Sequence, residues 1–183
     1  MANKTLTLAG TAILSALVVV FDYSLKYSGL KITYPWFPRL KFDFTGVPIL
    51  LSLHLFGFYS SAFTSAIAFL AIFARSGAFI GASMKALAEF STAVGAALAL
   101  KAFPKYRRIT LPILGILLRC VVMFFATLLV FPLFYSQSFS QVLLISPLVA
   151  VFNVIQGSIS TFGGLFLYEA VRKRLSPMFQ DKQ

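Results

Sequence analysis

Apolar stretches of about 18 to 22 residues recur along this chain, the length at which a helix crosses the hydrocarbon core of a bilayer. Of its 183 residues, 59% are apolar and only 11% are charged, and the mean hydropathy is +0.89. A soluble domain of this size carries far more charged surface. A transmembrane barrel would need short segments alternating apolar and polar positions, and none is visible. The expected fold is therefore an all-α polytopic membrane protein.

Six transmembrane helices are predicted in one bundle, forming a single domain over residues 1–183. They run over about Thr5–Phe21, Thr45–Phe56, a third from beyond Gly57 to Arg75, Ile80–Ala102, Ile109–Phe131 and Pro147–Arg174. Gly57 divides the second from the third, and about a dozen residues is short for a full crossing. The first run has Lys4 and small residues, as a signal peptide would, but it continues to Phe21 and further spans follow, so it reads as an uncleaved helix.

The formal net charge of +11 is concentrated at span ends. Lys101, Lys105, Arg107 and Arg108 lie between two spans, and Arg172, Lys173 and Arg174 follow the last. Such clusters are topology signals and contacts for membrane lipids. No basic stripe follows a soluble helix, so no nucleic acid is expected as a partner. With six crossings, Lys4, the 101–108 loop and the basic C-terminus share one side, which the basic bias makes cytoplasmic. The 131–146 loop on the other side has no charge, although Lys26, Lys31, Arg39 and Lys41 fall outside too. The expected location is the cell membrane, multi-pass, with both termini cytoplasmic.

The loop after the first helix is the chemically richest segment. Tyr34, Trp36, Phe37, Phe42 and Phe44 lie close together there, with Pro35, Pro38, Pro48 and the carboxylate of Asp43. Such a loop either anchors in the headgroup layer or folds as an aromatic lid over a ligand. Polar groups within spans are costly and face partners or a cavity. In the fourth helix Lys85, Glu89 and Thr92 share a face about 120° wide. Lys85 can pair with Glu89, or Glu89 with Arg119 of the fifth helix, serving either to neutralise buried charge or to meet a ligand. In the sixth helix Asn153, Gln156 and Ser160 share a face with Gly157 and Gly164. Packing accounts for the small residues, but two amides in hydrocarbon need partners, which favours ligand contact.

Absences narrow the chemistry further. The chain has no G-x-x-x-x-G-K-[ST], no H-E-x-x-H and no G-x-S-x-G. His54 stands alone and Cys120 is the only cysteine, so neither a metal site nor a disulfide is expected. No cofactor and no catalytic machinery are expected.

Several motifs, in order, resemble the substrate-binding S components of energy-coupling factor (ECF) vitamin transporters. They are Ala12-x-x-x-Ala16, Lys41-Phe-Asp-Phe-Thr-Gly-Val-Pro48, and Gly81-Ala-Ser-Met-Lys-Ala-Leu-Ala88. Phe152-Asn-Val-Ile-Gln-Gly157 is similar to the P-F-N-x-x-K-G segment of the riboflavin-type branch, and Arg119-Cys-Val-Val-Met123 with Phe131-Pro-Leu-Phe134 points the same way. The departures are Gln156, where that branch has lysine, and Thr127, where it has asparagine. The resemblance implies a substrate pocket beneath the first loop for riboflavin or a related flavin. Its candidate residues are Trp36, Phe37, Lys41, Phe42, Asp43, Phe44, Thr45, Lys85, Glu89, Thr127, Asn153 and Gln156. It further implies a transmembrane coupling protein, docked on Ala12 and Ala16, and two ATP-binding subunits. The alternatives are an S component for thiamine, biotin, pantothenate or a similar vitamin, and an integral membrane enzyme or scaffold.

Overall fold

A computed structural model of the chain describes residues 4–180 except 39, and side chains as far as 174. The described residues form six α-helices: α1 (Lys4–Tyr27), α2 (Gly46–Phe56), α3 (Phe58–Ser76), α4 (Phe79–Ala102), α5 (Arg107–Tyr135) and α6 (Phe139–Gln180). Four of them, α1, α3, α5 and α6, are long and apolar enough to cross a membrane. α4 is long enough at 24 residues but carries Lys85 and Glu89 in its first half. α2, at 11 residues, rises only about 16 Å and continues into α3 through a break. That break is Gly57, whose φ of +92° strongly favours a residue lacking a Cβ. The chain is a helical membrane protein.

The boundaries differ from expectation at three helices: α5 runs four residues past Phe131, to Tyr135, and the differences at α1 and α6 have identifiable causes. α1 was expected to end at Phe21 but runs to Tyr27, because Asp22 is not a water-facing terminus. It is buried inside the bundle, ion-paired with Lys31 and with Arg75 at the end of α3. α6 was expected to begin at Pro147 but starts eight residues earlier. There the Gln141 N–H donates to Ser138 Oγ (3.3 Å) while the Ser138 N–H donates to Gln141 Oε1 (3.0 Å). This reciprocal Ser-x-x-Gln arrangement is a capping box, and it was legible in the sequence.

The loop between α1 and α2 folds into a small antiparallel hairpin of β1 (Ile32–Thr33) and β2 (Lys41–Phe42), with Ile32 opposite Phe42. Tyr34 is the buried centre of this hairpin, surrounded by Trp36, Phe42 and, from α6, Phe152 at ring separations of 5.2, 5.8 and 5.6 Å.

Small and hydroxyl residues make the helix seams. Ala93, Ala96 and Ala99 of α4 are fully buried, and Gly95 lies directly against the backbone of Leu114 and Gly115 in α5. Close backbone approach of this kind is how helices associate where lipid removes the hydrophobic drive. α1, α2 and α3 are joined by a buried hydroxyl ladder. Thr11 bonds Ser60, Ser60 bonds Ser52 (2.7 Å), and Ser15 donates to Thr64 (3.2 Å). On the far side of α1, Leu8, Ala12 and Ala16 are exposed.

Helix direction alternates through the bundle. The C-terminal ends of α1, α3 and α5, the N-terminal ends of α2, α4 and α6, and the hairpin therefore all gather at one end. Lys4, the 101–108 connection and Arg172–Arg174 lie at the other.

Candidate functional site

Three of the chain's five carboxylates converge at the hairpin end and form a continuous ladder with four cations. Arg75 Nε bonds Asp22 Oδ2 (2.6 Å), and Asp22 also pairs with Lys31. Lys31 reaches Asp43 Oδ2 at 3.8 Å, and Lys85 Nζ bridges Asp43 Oδ1 (2.8 Å) and Glu89 Oε1 (3.1 Å). Arg119 Nη1 closes the line on the same Glu89 oxygen at 3.0 Å. Both Glu89 pairings that the sequence left open are therefore present together. Ions this deep persist only with partners of good geometry and further hydrogen bonds. Ser160 accordingly donates to Glu89 Oε2 (3.1 Å), while Arg119 donates to Asn153 Oδ1 (3.0 Å) and Thr92 Oγ1 (3.1 Å).

The same ladder latches the hairpin to the bundle. The Asp43 carboxylate accepts from the Thr45 backbone N–H (3.2 Å) and hydroxyl (2.7 Å). Burial works to raise its pKa, but the Lys85 ammonium, hydrogen bonds from Lys85 and Thr45, and the Lys31 charge outweigh that and hold it below 3.8. Gln156 grips the same residue by its backbone. The Asp43 N–H donates to Gln156 Oε1 (3.2 Å), and Gln156 Nε2 donates to the Asp43 carbonyl (2.8 Å). Just beyond, Gly46 opens α2 against the Glu89 carboxylate and the Ser160 hydroxyl, an approach that a Cβ would block.

Beneath the hairpin lies a cavity of ≈360 Å³. One side is ionic, with Asp22, Lys31 and Arg75 from α1, the loop and α3. The other is aromatic, with Phe131 and Tyr135 from α5, Phe152 from α6 and Phe37 from the hairpin; Lys85 and Ala88 of α4 form part of the wall. Phe37 and Phe131 stack at 6.1 Å with 26° between their planes. Thr127 lines the same space, and its buried hydroxyl has no hydrogen-bond partner. A second, apolar groove of ≈690 Å³ runs between α3, α4 and α5. Its hydroxyls, Ser65 and Ser83, each bond a carbonyl of their own helix, so it has nothing to orient a polar ligand.

Of the sequence-derived candidates, Phe37, Lys41, Asp43, Lys85, Thr127 and Asn153 line the cavity. Glu89 lies behind Lys85, Thr45 behind Asp43, and Gln156 at the hairpin root. Trp36 and Phe44 are 66% and 50% exposed, and Phe42 packs on Phe152 at 4.8 Å within the hairpin's own cluster. Sequence reasoning missed Asp22, Lys31 and Arg75. The available signal was a carboxylate just after one apolar run and an arginine at the end of another, in a chain with few acids. Lys31 also accounts for part of the charge that blurred the topology reading, since it pairs inside the site.

No protein-family model matches the sequence, and no curated protein matches it. Among solved structures, the chain is similar to the S component of a bacterial ECF transporter. The TM-score is 0.75 at 22% identity, covering 94% of this chain and 99% of that one. At this identity the likeness establishes a shared fold.

Proposed function

We propose that this protein is the substrate-binding subunit of an ECF-type vitamin uptake transporter, taking riboflavin or a related flavin. The observation that carries this reading is the cavity under the hairpin, with an aromatic wall facing polar groups beneath a latched aromatic lid. The shared fold and the absence of a nucleotide-binding motif support it. In this reading Phe37, Phe131 and Phe152 present flat faces to the ring. Thr127, Asn153, Lys85, Lys41 and Asp43 meet its polar edge and tail, while Glu89, Thr45 and Gln156 hold those groups in place. Phe42, Phe44 and Trp36 build the lid itself.

The hairpin end faces outward, and the basic end, with both termini, faces the cytoplasm, in keeping with the positive-inside bias. Transport then requires a membrane coupling protein and two ATP-binding subunits. The exposed stripe of Leu8, Ala12 and Ala16 gives the coupling protein a smooth surface for close helix contact.

The direct test is purification without added vitamin, followed by ligand extraction and mass spectrometry. A stoichiometric flavin and a yellow preparation are the expected result; bound thiamine, biotin or pantothenate would move the substrate to that vitamin. For docking, replacing both Ala12 and Ala16 with Trp should abolish co-purification with the coupling protein and leave vitamin binding unchanged. Intact co-purification would remove the stripe from the interface.

A further inference from the structure

We propose that the ligand of this cavity carries an anionic group, a phosphate monoester or carboxylate attached to a flat ring. The inference rests on the substrate-binding reading above and narrows its flavin from neutral riboflavin to a phosphorylated relative. Along the ladder four cations, Arg75, Lys31, Lys85 and Arg119, face three carboxylates, so one positive charge has no counter-charge. Lys26 and Lys41, both solvent-exposed, add two more cations to the edge of the cavity lining, with no ion pair among the described residues; their charge is the more screened by water.

The carboxylates are already engaged from several directions. Asp22 takes Lys31 and Arg75; Asp43 takes Lys85, Lys31 and Thr45; Glu89 takes Lys85, Arg119 and Ser160. Each carboxylate already faces two cations, so a cationic ligand would meet a wall of net positive charge. The cations keep donors in reserve, since a guanidinium has five N–H groups and an ammonium three.

Uncompensated positive charge beside low-dielectric walls focuses potential into the cavity. An oxyanion placed there gains charge-assisted hydrogen bonds, about twice as strong as neutral ones. The lining fixes the rest of the ligand. Cations reach the cavity from α3, α4, α5 and the loop, and rings from α5, α6 and the hairpin, so one molecule must offer both an anion and a flat face.

The test uses matched pairs that share a frame and differ by the anionic group. Riboflavin is set against flavin mononucleotide, thiamine against its monophosphate, and biotinamide against biotin. Each is titrated calorimetrically into the detergent-purified full chain. Within the pair that binds, the anionic member should bind about tenfold more tightly or better, the scale of one charge-assisted contact. That preference should shrink as KCl rises from about 0.02 to about 0.5 M. Lys31→Gln should weaken the anionic member about tenfold more than the neutral one. Equal affinities within a pair, or a preference indifferent to salt, would overturn this inference and leave the substrate-binding reading standing. Failure of every pair to bind folded, monodisperse protein would overturn both.

Discussion

Gln156→Leu should loosen the lid before any ligand is present. In the native protein the amide of Gln156 is fully buried and makes two hydrogen bonds to the Asp43 backbone, at 3.2 and 2.8 Å. Leucine matches the volume and withdraws both partners, leaving a buried N–H and a buried carbonyl alone. Each such group costs about 1–3 kcal/mol. Because the hairpin can open to water, the lower part of the range applies, about 2–4 kcal/mol in all. At tenfold per 1.4 kcal/mol, the open hairpin should become about thirtyfold to several hundredfold more populated. Amide hydrogen exchange over residues 31–45 of the ligand-free protein reads that population directly. Trp36, the only tryptophan in the chain and packed edge-on to Tyr34, gives a second readout in its fluorescence. Exchange unchanged in the free mutant, with ligand affinity lost all the same, would show that Gln156 touches the ligand and does not serve as the hinge staple.

Glu89→Gln leaves Arg119 and Lys85 without their shared counter-charge, at a cost of about 3–5 kcal/mol for breaking a buried pair. Thermal unfolding in detergent should fall accordingly, and an unshifted midpoint would contradict the ladder. Thr127→Val removes a hydroxyl that has no protein partner, so the free protein should keep its stability while ligand affinity drops by about 1 kcal/mol; equal affinity would take Thr127 out of the site. The Asp43 carboxyl, held below 3.8, contributes stability above its unfolded pKa and loses it as pH falls through the lower folded value. Trp36 fluorescence should thus stay constant from about pH 8 to 5 and change only below about pH 4. A transition centred near pH 6 would refute the latch.

The helical class and the Gly57 break could be read from the sequence because they depend on local signals: run length and a residue without Cβ. Asn153 and Lys85 could be picked out as candidates because a polar side chain on an apolar helix must be answered by something. The answer itself was not legible. Asp22 and Arg75 lie 53 positions apart, and Asp43 and Gln156 lie 113 apart; only the folded topology brings them together. For the same reason the division of labour within the aromatic loop was not legible. Trp36, Phe37, Phe42 and Phe44 were all candidates to face a ligand; in the fold Tyr34 gathers Trp36 and Phe42 into a cluster that holds the hairpin. Phe37 alone of the loop's rings turns into the cavity, and the rest of its aromatic wall comes from α5 and α6.

The hydroxyl ladder between α1, α2 and α3 has a consequence for how the bundle assembles. Thr11 bonds the carbonyl of Thr7, and Thr64 that of Ser60. A helix carrying such residues is therefore satisfied by its own backbone when it first enters the bilayer alone. Contacts between helices then add only about 0.6 kcal/mol per hydrogen bond, so Thr11 and Thr64 do not oblige α1 and α3 to insert together. The buried charges do: Asp22 of α1 needs Arg75 of α3, and Glu89 of α4 needs Arg119 of α5 beyond its own Lys85. The insertion of α4 is thereby tied to α5, and the charges that shape the site also set the order in which the membrane receives the chain.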